Sequence, residues 1–149
     1  MAITDENELR DIYGEIKTIA VVGASASEHK AAHTVPRYLK REGYRVIPVN
    51  PRGGEILGEK AYERLADVPD EIDVVDVFRP SEETPGVARD AVAAGAKILW
   101  LQEGISSDEA EKIASEAGLR VVMDRCMGMT HYRLVKSGQG ASPREGAED

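Results

Sequence analysis

The chain is predicted to fold as one three-layer α/β domain, a doubly wound, mostly parallel sheet with helices on both faces. Three observations predict it. Short continuously apolar runs, such as Ile19-Ala20-Val21-Val22 and Ile98-Leu99-Trp100-Leu101, suit strands covered on both sides. The segments between them carry helical spacing and close on glycine. The first strand also runs into the turn Gly23-Ala24-Ser25-Ala26-Ser27, then a helix and a second strand, which is the order of a βαβ unit.

Residues 1–13 open with Leu9, Ile12, Tyr13 and then Ile16 among acidic neighbours, an amphipathic helix for one sheet face. A strand follows over 17–22. Thr34 is expected to cap a helix to Arg41, with Val35, Tyr38 and Leu39 inward and Gly43 closing it. The next strand is 45–49, and Lys60-Ala61-Tyr62 reads as a short edge strand. Glu63 to Ala66 makes a brief helix stopped before Pro69. Asp73 to Phe78 is a further strand, and Ser81 is expected to cap a helix to Ala94, with Pro85 in its first turn. Lys97 to Leu101 is a strand. Ser106-Ser107-Asp108-Glu109 offers a capping box for a helix to Ala117, and Leu119 to Met123 is the last strand. The expected strand order is 3-2-1-4-5-6. Residues 1–136 form the domain, and 137–149, rich in Gly, Ser, Pro, Ala and charge, read as a disordered tail.

The totals narrow the function. At 149 residues the chain holds one ordinary core, and its net charge of −8 opposes nucleic-acid backbones. One cysteine excludes an internal disulfide, and three scattered histidines show no metal-ligand spacing. Neither a leader nor a membrane-length apolar run is apparent, so a cytoplasmic protein without nucleic-acid or membrane partners is expected. Monomer and homodimer both stay open.

In a doubly wound sheet ligands bind outside the carboxyl ends of the strands, where winding reverses. The loops there begin at Gly23, Asn50, Phe78, Gln102 and Asp124. A dinucleotide fingerprint requires glycines at 23, 25 and 28 and a carboxylate at the tip of the second strand. This chain has Ser25, Glu28, Asn50 and, beyond Pro51, Arg52. Arginine there favours a phosphorylated ribose over a bare diol, so the turn reads as a phosphorylated-nucleotide site not made for NAD.

An ordered set of segments resembles the stand-alone CoA-binding protein family, small relatives of the CoA-binding domain of succinyl-CoA synthetase. The set comprises Val21 to Ser25, Val46 to Pro51, Leu65 to Pro69, Asp73 to Arg79, Ala94 to Lys97 with Trp100 to Gln102, and Val121 to Met127. The resemblance implies a Rossmann-like fold and coenzyme A or acyl-CoA as ligand. It departs after Cys126, where Gly128-Met129-Thr130-His131 lacks a glutamate expected in many relatives.

Each candidate has two readings. Gly23 serves any tight strand-to-helix turn; the sharper reading aims its amide and those of Ala24 and Ser25 at a diphosphate. Ser25 and Ser27 are loop polarity or phosphate ligands, and Lys30 and His33 solubilise the loop or neutralise phosphate. Arg52 is solvated or meets the 3′-phosphate. Arg79 pairs with Glu103 or touches ligand, and Pro80 fixes its loop. Phe78 is core, or lies beside adenine or pantetheine. Trp100 reads as packing. Gln102 and Gly104 leave their strand beside the cleft, facing pantetheine. Cys126 is a small hydrophobe, or a thiol with its pKa lowered by Arg125 and met by the CoA thiol; Asp124 holding Arg125 would leave it ordinary. No nucleophile elbow or phosphate-loop lysine motif is present, so non-catalytic binding is expected. The alternatives are an NAD(P)-dependent redox regulator or enzyme, and a CoA-ligase subunit acting in trans.

Overall fold

The computed structural model describes residues 2–144. α1 (Glu6–Glu15) starts where Asp5 accepts the Glu8 amide, and it buries Leu9, Ile12 and Tyr13. β1 (Thr18–Val22), α2 (Ala31–Arg41) and β2 (Arg45–Val49) complete the first βαβ unit. β3 (Glu55–Ile56) and β4 (Glu59–Lys60) form a small antiparallel hairpin. β5 (Val74–Val77), α3 (Thr84–Ala93), β6 (Ile98–Leu101), α4 (Asp108–Glu116), β7 (Arg120–Val122) and α5 (Met127–Leu134) follow.

The main sheet is five parallel strands in the order β2-β1-β5-β6-β7. Winding reverses between β1 and β5, as expected, so the carboxyl ends of those strands border the crevice. α1, α2 and α5 cover one face, where Tyr13, Tyr38, Trp100 and Met127 pack together. Ala88, Ala91, Ala110 and Ala114 of α3 and α4 cover the other, their small side chains fitting against Val75, Leu99 and Val121. Trp100 is packing: it is fully buried and its indole N–H donates to the Arg125 carbonyl at 2.8 Å.

Several local expectations are corrected. The outermost segment is not a sixth ladder strand: Tyr62 makes one parallel bridge to Val49, and pairing continues only within the hairpin. α2 begins at Ala31 rather than at Thr34, because a turn closed by the Lys30 amide on the Ser27 carbonyl already leads the chain into the helix. The brief helix is a 3₁₀ turn at Leu65–Asp67. Ser81 opens a 3₁₀ turn, and its hydroxyl accepts the Ser106 amide instead of capping α3. Ser107 caps α4 through the Ala110 amide, but with alanine at that position no reciprocal carboxylate completes a box. α5 had no counterpart in the sequence reading. In the segment read as a tail, Ser142 is buried, Pro143 lies against Gly128, and Tyr132 Oη donates to the Gly138 carbonyl; residues 145–149 lie outside the described residues.

Candidate functional site

Gly23 leaves β1 with φ +90°, a conformation that favours glycine. Its amide donates to the Val49 carbonyl at 3.0 Å and the Ser25 amide to the Ala32 carbonyl at 3.1 Å. Two of the three amides expected to face a diphosphate are therefore spent inside the protein. The Ala32 carbonyl is available because Pro36, four residues on, has no N–H to offer it. A proline within α2 thus ties the turn to the helix. Ser25 Oγ accepts the Ser27 amide at 3.0 Å, and the Ser25 carbonyl meets His33 Nδ1 at 2.8 Å, so Ser25 and His33 shape the loop from within.

Asn50 spans the two loops. Its Nδ2 donates to the Ala24 carbonyl at 2.8 Å while its Oδ1 accepts the Arg52 amide at 2.8 Å. The side chain standing where a diol-binding carboxylate was absent is a brace between the first and second strand exits. Around it lies a cleft of about 630 Å³ whose lining includes Gly23, Ala24, Ser25, Ser27, Lys30, Asn50, Pro51, Arg52, Phe78 and Arg79. With Arg79 paired to Glu83, Lys30 and Arg52 stand against a single acid, Glu55, so the cleft is locally positive on a chain of net charge −8. Arg79 does not pair with Glu103. It folds along its own chain and donates to Glu83 at 2.9 and 3.0 Å. Glu103 faces Arg144 at 3.7 Å instead. Pro80 precedes the 3₁₀ turn and stays outside the cleft lining.

On the other side of Gly23 a smaller cleft of about 330 Å³ is lined by Val22, Val49, Leu65 and Val87 together with the acids Glu63, Glu83 and Asp90 and the cations Arg64 and Arg79. Sequence reading missed it, because Leu65 belongs to a 3₁₀ turn and Val87 to a helix, and only the crossover topology brings them together.

The crevice continues past Phe78 into a chamber of about 430 Å³ that also takes in Gln102, Gly104 and Cys126. Gln102 is buried and accepts the Met127 amide at 3.0 Å, which anchors the start of α5. Gly104 has φ +83° and donates to Asp124 Oδ1; Asp124 is thereby committed to this loop and not to Arg125. Cys126 caps α5, its Sγ accepting the Met129 amide at 3.4 Å. Burial pushes its thiol pKa up, the opposite of the lowering expected from the neighbouring Arg125. Among the described residues there is no group of His, Cys, Asp and Glu able to hold a metal, and no helix long and apolar enough to cross a membrane.

Residues 17–132 match the family model of the CoA binding domain. The protein YneT of Bacillus subtilis (strain 168) is 40% identical over 124 residues, 83% of this chain and 92% of YneT. A solved structure, cell-free ID.343 from Thermus thermophilus, superposes with a TM-score of 0.84 at 44% identity, covering 88% of this chain and 99% of that one. An ADP-forming acetate–CoA ligase of Methanocaldococcus jannaschii is 29% identical over 128 residues; the match takes 79% of this chain but only 18% of the ligase.

Proposed function

The chain belongs to the CoA-binding domain family, and from that premise we propose that it binds coenzyme A or acyl-CoA without itself catalysing a reaction. The diphosphate lies at the Gly23 turn, held by the Ala24 amide, the opening turn of α2, Ser27 and the Lys30 ammonium. Arg52 takes the 3′-phosphate, and the adenine enters the cleft between Leu65 and Val87. Pantetheine passes Phe78 toward Gln102 and Gly104. The observation that carries this reading is the gathering of Lys30 and Arg52 around the Gly23 turn in one cleft of about 630 Å³. Asn50 braces both loops and, as a neutral amide, is not the carboxylate that an NAD site uses for the ribose diol.

Calorimetric titration with CoA and dephospho-CoA tests the reading. A charge-assisted contact contributes roughly 1.5–3 kcal/mol, so loss of the 3′-phosphate weakens binding about tenfold or more, and Arg52→Ala removes most of that difference. Absence of saturable CoA binding sinks the proposal.

A second reading rests on the ligase match. The chain corresponds to about a fifth of that enzyme's length, 18% of it, so a CoA-presenting subunit acting in trans with a separate nucleotide-binding partner is the alternative. Pull-down with such a partner, followed by a CoA-ligase assay of the pair, distinguishes it from binding alone.

A further inference from the structure

The chamber beyond Phe78 has a composition unlike the cleft before it. Seven of its eleven side chains are apolar, Val35, Phe78, Ile105, Met129 and Pro143 among them. Its two ionic residues, Glu103 and Arg144, face each other at 3.7 Å on exposed side chains, so neither is left unmatched toward the interior. The outer wall comes from the C-terminal segment. A Cβ at Gly128 would lie 3.0 Å from Pro143 Cγ and 3.2 Å from Val35 Cγ1, so α5 carries a glycine where that segment seats against α2. The chamber and the phosphate cleft share Phe78 and meet at the start of α2, where Lys30 and Ala32 line one and Ala31 the other.

We infer that this chamber is an acyl site: it receives the acyl end of an acyl-CoA whose acyl group is a short hydrocarbon chain, with Pro143 as part of its wall. The inference rests on the proposed binding of CoA in the adjoining cleft. A pantetheine arm leaving that cleft past Phe78 delivers its sulfur to the chamber mouth, and whatever is esterified to the sulfur is then surrounded by Val35, Ile105 and Met129. Hydrocarbon is stabilised there in proportion to the area withdrawn from water, a fully buried methylene being worth about a fourfold change in affinity. A carboxylate at the end of the acyl chain would lose its hydration against these side chains. The chamber's own cation, Arg144, already faces Glu103, and the next cations, Arg125 and Arg133, line the neighbouring cleft of about 360 Å³ that shares Glu103, Cys126 and Met129. A carboxylate held there is the rival.

The test is calorimetry on the full chain with CoA, hexanoyl-CoA and glutaryl-CoA, the last ending in a carboxylate. Hexanoyl-CoA is expected to bind at least about tenfold tighter than CoA, and glutaryl-CoA no tighter than CoA. Ile105→Trp, checked for folding by circular dichroism, narrows the chamber, and the hexanoyl-to-CoA affinity ratio should fall toward one. Equal affinities for CoA and hexanoyl-CoA in the parent, a preference for glutaryl-CoA, or an unchanged ratio in folded Ile105→Trp overturns the acyl site while leaving CoA binding standing. If CoA and both thioesters all fail to bind, the underlying reading falls with it.

Discussion

A Cβ added at Gly23 would stand 2.7 Å from the carbonyl oxygen of Phe78, inside any allowed carbon–oxygen contact. The obstacle is backbone at the exit of the adjacent strand, whose own amide is held by Val22 at 2.8 Å, so it cannot swing aside cheaply. The φ of +90° adds strain of about 1–3 kcal/mol for any L side chain. Gly23→Ala is therefore expected to lower the urea midpoint by the equivalent of roughly 2–4 kcal/mol, strain and contact together, and to weaken CoA binding. A variant as stable as the parent would mean that the β1 and β5 exits can separate.

The Ser25–Ala32 hydrogen bond exists because Pro36 leaves the Ala32 carbonyl without its helical partner. Pro36→Ala restores an N–H four residues after Ala32 and sets it in competition with the Ser25 amide. The expected result is a split: equal or higher helix stability in thermal unfolding, with CoA affinity reduced several-fold as the loop loosens. Reduced affinity that merely tracks reduced stability argues against the competition.

The sheet was legible because period and composition agreed over β1, β2, β5, β6 and β7, each a buried run bounded by turn residues. The edges were not. Lys60 and Tyr62 carry β character, but with one bridge to Val49 the segment turns away into its hairpin, a choice made by tertiary contacts. α5 escaped notice because it is short and carries Gly128, whose reason is Pro143 across the fold. At the site, strand ends told which loops meet, so Gly23, Asn50, Arg52 and Phe78 were expected near one another and share one cleft. Hydrogen-bond commitments could not be read in the same way. That the Gly23 and Ser25 amides are spent internally, and that Arg79 turns to Glu83, depends on distances no spacing encodes.

Cys126 is a cap before it is a thiol. Its Sγ accepts the Met129 amide, and burial holds its pKa above the ordinary value of 9.0. Alkylation by iodoacetamide should thus be slow at neutral pH, rise only beyond that value, and accelerate in urea, where the thiol returns to solvent. Cys126→Ser keeps an oxygen acceptor at the cap and should be at least as stable as the parent, whereas Cys126→Ala should lose about 0.5 kcal/mol or more. Fast labelling of the folded protein at pH 7 would contradict the raised pKa.

Asp76 lies on β5 in register with Val21 of β1 and Trp100 of β6, fully buried, and neither carboxylate oxygen has a hydrogen-bond partner among the described residues. Desolvation pushes its carboxyl well above the ordinary 3.8, so the folded protein keeps a proton that the unfolded chain releases near pH 4. The native state then binds more protons than the unfolded one above that pH, and stability must fall as pH rises, by up to about 1.4 kcal/mol per pH unit for one group, until the folded-state pKa is passed. His131, whose pKa burial lowers from 6.5, acts with the opposite sign: its contribution is lost as pH drops below that value. Asp76→Asn removes the first slope and leaves the second. Urea unfolding of parent and variant from pH 4 to 8 should show the variant gaining on the parent steadily with pH. Two parallel curves would mean that Asp76 ionises in the folded protein as easily as in the unfolded chain.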